Sequence, residues 1–173
     1  MGLDVTAYKN LAPANGNEAF DEHGELRYED GYVKFYENPD FQGRAEGIDT
    51  RIAYKPEDST CLCAGSYGGY NKWRDMLAEL AGYPLTEYKL YGATANCHSA
   101  ACWNGAQGPF AELINFSDCE GTIGPKVSAK LAADFATFRS KADSHPDEYF
   151  RRKYVEWQDA FEFVGDNGAV EFH

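Results

Sequence analysis

Apolar and polar residues alternate along Leu3-Asp4-Val5-Thr6-Ala7-Tyr8, the two-residue period of a half-buried strand. Asn15-Gly16-Asn17 and His23-Gly24 carry turn signals. Alternation returns at Tyr32-Val33-Lys34-Phe35-Tyr36, which predicts a second strand ended by Asn38-Pro39-Asp40. After a polar loop through Gly43 and Gly47, two short strands are expected at 51–54 and 60–64, separated by Lys55-Pro56-Glu57-Asp58. The period then changes. Tyr70, Trp73, Leu77 and Leu80 share one helical face, and Gly82 and Pro84 stop the helix. From Thr86 to Gly108, Tyr88, Leu90 and Tyr91 are mixed with small residues and glycine turns, and no period dominates. Residues 110–116 fit a buried strand or a short helix equally well.

The last third has the strongest pattern. Gly124-Pro125 opens a helix striped by Val127, Leu131, Phe135 and Phe138. Ser144-His145-Pro146 breaks it, and Asp147 is placed to cap a second helix striped by Phe150, Tyr154, Trp157, Phe161 and Val164. The two stripes can face each other as a hairpin packed on a sheet. Gly165 and Gly168 release the chain into Ala169-Val170-Glu171-Phe172, expected to be a terminal edge strand. The fold class is α+β. Residues 1–173 form one domain, a small, mostly antiparallel sheet against the C-terminal helical hairpin plus one further helix.

Composition narrows the setting. A chain of 173 residues buries roughly 70% of its unfolded surface, enough to fold without a staple. No apolar run is long enough to span a bilayer, and Met1-Gly2-Leu3-Asp4-Val5 does not read as a signal peptide. Five cysteines, an odd number, fit reduced thiols in a cytoplasmic protein. With 28 acidic and 16 basic side chains the formal charge is −12. Such a surface repels nucleic acid and anionic membrane as direct partners. The one tight basic run, Arg151-Arg152-Lys153, falls inside a helix among acids and reads as a solvated face. Residues 1–60 hold 13 acids and 6 bases, residues 61–120 only 6 and 3. The charge-poor middle also holds all five cysteines, so it is the place to look for a core or a pocket.

Three segments could carry chemistry. The first, Gly65-Ser66-Tyr67-Gly68-Gly69-Tyr70-Asn71-Lys72-Trp73-Arg74, joins a strand to a helix. Its glycines let a ligand approach, Tyr67 or Tyr70 could stack on a base, and Arg74 could meet a phosphate. The helical spacing already accounts for Tyr70 and Trp73 as core, and that reading comes first. The second runs from Asn115 to Pro125, where Ser117, Asp118, Glu120, Gly121 and Thr122 precede a helix N-terminus. Such a loop can hold phosphate on amides and ribose on a carboxylate, hold a divalent cation on Asp118 and Glu120, or simply brace a turn. The third is Cys97-His98-Ser99-Ala100-Ala101-Cys102-Trp103-Asn104. There His98 could lower the Cys102 thiol pKa across one helical turn, and Trp103 could stack on a planar ligand. The C-x-C and C-x4-C spacings match no common zinc pattern, so no metal and no cofactor is expected.

Gly65–Arg74, Leu113–Gly121, Val127–Ala132 and the ending Gly168–His173 resemble a family of hypothetical proteins found in bacteriophages and bacteria. The likeness runs along most of the chain. It implies a cytoplasmic, phage-encoded protein and transfers no catalytic residue. Small acidic phage proteins include counter-defence proteins that sequester nucleotide immune signals. The leading expectation is therefore a protein that binds a nucleotide-derived small molecule without turnover. Its ligand-contacting residues would be Tyr67, Tyr70, Asn71, Arg74, His98, Trp103, Ser117, Asp118, Glu120, Gly121 and Thr122. The alternatives are a hydrolase using Asp118, Glu120 and His98, or an acidic inhibitor of a host protein. A homo-oligomer is compatible with each.

Overall fold

The computed structural model describes residues 2–14 and 16–173. In chain order the elements are β1 (Gly2–Lys9), β2 (Ala12–Pro13), a single helical turn α1 (Gly16–Ala19), β3 (Tyr54–Lys55), β4 (Asp58–Ser66) and α2 (Tyr67–Ala81). There follow β5 (Thr86–Leu90), β6 (Ala93–Cys97), α3 (Ser99–Trp103), α4 (Ala111–Ile114), β7 (Gly121–Ile123), α5 (Pro125–Asp143), α6 (Glu148–Val164) and β8 (Ala169–Phe172). Three single 3-10 turns lie at Tyr28–Asp30, Pro39–Phe41 and Gly165–Asn167. The class is α+β, as the two periods predict. Asn15 of the first expected turn lies outside the described residues, and Gly16 opens α1.

The main sheet has the order β4-β1-β8-β7 with every pair antiparallel. Its register aligns Thr122, Glu171, Thr6 and Cys61 in one row across all four strands. Because side chains alternate across a strand, the residues flanking that row point the other way. Those flanking residues include Val5, Ala7, Leu62, Val170, Phe172 and Ile123, all buried. They form the face on which α2, α5 and α6 pack. The terminal strand is not at an edge: β8 lies between β1 and β7. The edge expectation fails because β7 is only three residues long and sits inside a glycine-bearing loop, too short to show a period. His173, beyond β8, donates its amide to the Asp4 carbonyl at 3.0 Å, so the end of the chain is tied to β1.

The helices follow their stripes. α2 begins at Ser66, whose Oγ accepts the Gly69 amide at 3.1 Å, and ends at Gly82 in the left-handed conformation. Asp147 Oδ1 caps α6 by accepting the Phe150 amide at 2.9 Å. Trp157 of α6 stacks on Trp73 and on Tyr70 of α2, each with ring centroids 5.6 Å apart. The Tyr154 hydroxyl donates to the Phe135 carbonyl at 2.7 Å and locks α6 to α5. No helix among the described residues is long and apolar enough to cross a membrane.

The segment before β3 departs from expectation. Residues 32–36 form no strand; Val33 makes one bridge to Tyr54. The alternation still has a use. Phe35 is buried against Tyr8 and Tyr54, while Tyr36, facing the other way, is exposed. The pattern reports burial on one side and not a ladder, since β3 offers only two residues to pair with. The unreadable stretch after α2 is a two-stranded sheet, β5 with β6, followed by α3. Residues 110–116 resolve to the short helix α4, not a strand.

Candidate functional site

The second turn of α2 places Asn71 and Arg74 three residues apart, on one side of the helix. Arg74 is only 5% exposed. Its guanidinium lies 4.5 Å from the Tyr70 ring centroid and donates through Nη1 to the Phe116 carbonyl at 2.5 Å. Through Nη2 it donates to Asn71 Oδ1, and Asn71 Nδ2 donates to Asp118 Oδ2 at 2.9 Å. This chain of bonds fixes the 115–120 loop on α2. The loop is braced within itself by Ser117, whose buried Oγ accepts the amides of Cys119 at 3.2 Å and Glu120 at 3.1 Å. Asn38 fixes the facing segment. Its Nδ2 donates to the Glu120 carbonyl at 3.1 Å, and its Oδ1 accepts the Asp40 amide at 3.1 Å.

Between these parts opens a cleft of about 740 Å³. Its lining includes Asn71, Arg74, Phe116 and Ser117, of which the last three are buried, together with Tyr36, Phe41, Tyr88, Leu90 and Trp103. Trp103 meets Tyr88 edge to face, centroids 5.3 Å apart. Trp103 is 43% exposed and Tyr36 46%, and both are large rings that a core would have taken in. The charge of the lining is unbalanced. Arg74 is its sole cation, against the carboxylates of Asp40, Asp118 and Glu120.

Six of the expected ligand residues therefore line one cleft: Asn71, Arg74, Trp103, Ser117, Asp118 and Glu120. Five do not. Tyr70 is fully enclosed between Trp73, Trp157 and the Arg74 guanidinium, where burial pushes its hydroxyl pKa up to about 12; its ring cannot stack on a ligand. Tyr67 is half-buried at the start of α2, away from the cleft lining. His98 directs Nδ1 at the Tyr83 carbonyl, 2.7 Å away; a carbonyl only accepts, so Nδ1 carries the proton. Gly121 and Thr122 belong to β7 and are buried. Gly121 has φ +132, and a Cβ there would come within 2.9 Å of the Phe116 ring, so glycine lets this floor residue sit against the strand.

At the anion site expected ahead of α5, the Gly124 amide is already taken. Gly124 is buried, and its amide donates to the Arg44 carbonyl at 2.8 Å. The thiol–histidine pair lies outside the cleft lining, and its Cys102 is buried. Burial raises the Cys102 thiol pKa, and the raised value leaves the thiolate scarce. Among the described residues, no group of three or more His, Cys, Asp or Glu side chains is gathered as metal ligands, and the five cysteines are free.

Tyr36, Phe41, Tyr88 and Asn38 were not anticipated. Tyr36 was within reach, since alternation with Phe35 demands that one of the two rings face outward. Asn38-Pro39-Asp40 has the turn residues of a strand terminator, and its asparagine doubles as the bridge to Glu120. Nothing in the pattern points to Tyr88, which reaches the cleft through a hairpin with no dominant period. Set against models of known families, curated proteins and solved structures, the chain matches none.

Proposed function

We propose that this protein binds a nucleotide-derived small molecule in the cleft and holds it without turnover. One observation carries the reading: exposed aromatic rings stand beside a fixed Arg74–Asn71–Asp118 chain in one concave site. Apolar walls with a few placed polar groups are the usual make-up of a small-molecule site. A base would stack on Trp103 or Tyr36, and Asp118 and Glu120 would accept from sugar hydroxyls or an exocyclic amine. Arg74 retains guanidinium donors for one anionic oxygen. Holding without turnover is favoured over hydrolysis because His98, the general base of the hydrolase reading, stands outside the cleft lining, although Asp118 and Glu120 belong to it. The resemblance to phage proteins and the acidic composition favour a counter-defence role in the host cytoplasm.

The test is mass spectrometry of the protein, native and then heat-denatured, after exposure to a panel of nucleotide signals. Recovery of an intact compound only after denaturation is the expected result. A cleaved product would put the hydrolase reading first. A second reading has its own support: Glu18, Glu22, Glu25, Glu29 and Asp30 are all exposed, as an inhibitor docking on a basic host surface would require. Retention of a host protein that is lost with added salt, and of no small molecule, would favour it.

A further inference from the structure

Resting on that reading of the cleft, we infer that its ligand is a nucleoside or nucleoside monophosphate, and that nucleoside di- and triphosphates are turned away. The cleft can satisfy one anionic group and no more. Arg74 is its sole lining cation, and two of its donors already serve the Phe116 carbonyl and Asn71 Oδ1. Ahead of α5, the Gly124 amide is buried and bonded to the Arg44 carbonyl, and Pro125 has no amide hydrogen to offer a phosphate.

The carboxylates are placed to repel added phosphates. Asn38 bonds the Asp40 amide with one end and the Glu120 carbonyl with the other, so these two acidic residues flank a single side chain. Both residues belong to the cleft lining and are exposed, and neither carboxylate makes a hydrogen bond among the described residues, so their acceptor oxygens are unpaired. Ionised carboxylates can only accept. Ribose hydroxyls and exocyclic amines are matching donors; phosphate oxygens are not. The formal charge of −12 repels a tetra-anion further before it arrives. The aromatic walls are indifferent to this charge, since a base offers the same ring with or without phosphates.

Calorimetric titration of the full chain with adenosine, AMP and ATP, and with cytidine, CMP and CTP, decides the matter, using chelator to keep divalent cations off the phosphates. In one series or both, the nucleoside or monophosphate should bind at least about tenfold more tightly than the triphosphate. That gap should narrow at high salt, which screens repulsion but leaves shape unchanged. It should also narrow, through tighter triphosphate binding, in the Asp40→Asn, Glu120→Gln double variant, whose altered side chains make no hydrogen bond within the described chain. Triphosphates binding as tightly as nucleosides, or a gap indifferent to salt and to the double variant, would overturn this inference and leave the cleft reading standing. Binding by no member of either series, at any salt, would overturn the cleft reading itself.

Discussion

Trp73 and Trp103 both sit on helices in the charge-poor middle of the chain, yet Trp73 is 1% exposed and Trp103 43%. The helices differ in what they can bury. α2 runs for 15 residues and lays a continuous stripe against the sheet and α6, so Trp73 is enclosed by Tyr70, Phe150 and Trp157. α3 has five residues and buries its small side chains, Ala100, Ala101 and Cys102, leaving the tryptophan at its end to lean on Tyr88. A long amphipathic helix uses its aromatics for stability. A short one held at the rim leaves an aromatic free for a ligand. The same division separates Phe35, buried, from its neighbour Tyr36, which faces the cleft.

The comparison breaks most decisively in the core. Trp157→Ala should cost about 3–5 kcal/mol of unfolding free energy, because the cavity opens among rings that cannot close over it. Its measure is the midpoint of chemical denaturation. Arg74 belongs to both regions, and Arg74→Leu should cost about 1–3 kcal/mol by leaving the buried Phe116 carbonyl without its donor. Hydrogen exchange should then accelerate in the 115–120 loop and leave the α5–α6 hairpin protected. Trp103→Ala sharpens the contrast from the other side. Stability should change by less than about 1 kcal/mol, while affinity for a stacked base should fall about tenfold or more.

Two smaller effects test the electrostatics of the frame that carries the cleft. Burial raises the Glu171 carboxyl pKa in the folded chain, with Tyr8 and His173 as its neighbours. The folded state therefore keeps a proton that the unfolded state releases first, and stability falls as pH rises from the ordinary carboxylate range through the folded pKa. Glu171→Gln should gain on the natural protein as pH rises from 4 to 7, read by thermal unfolding across pH. Asp147 behaves oppositely. The Phe150 amide lowers its pKa, so its capping contribution is present above the ordinary carboxylate range and is lost as pH falls through the folded value. Asp147→Ala should lower the melting temperature slightly at pH 7, with the difference shrinking in acid.

Legibility in the sequence follows the same line as the two tryptophans. β1, α2, α5 and α6 repeat a period long enough to read, and each element is found where its stripe places it. β7 and α4 are too short for a period, and β7 moved β8 from the edge to the interior of the sheet. For the cleft, the polar residues crowded into one loop fall together in the lining: Ser117, Asp118 and Glu120 all belong to it. The glycine-rich entry to α2 misled in part, because Tyr70 answers to the helical stripe before any ligand. The facing wall, Tyr36 and Phe41, comes from residues far away in sequence, and only tertiary packing brings it across.

The most direct test of the cleft as a ligand site is acrylamide quenching of tryptophan emission during a nucleoside titration. Trp73 and Trp157 are buried, so the quenchable signal belongs to Trp103. The account predicts that quenching falls saturably as ligand fills the cleft, and that the compound is recovered intact afterwards. Quenching that stays unchanged while calorimetry shows saturation would place the ligand elsewhere on the molecule and contradict the account.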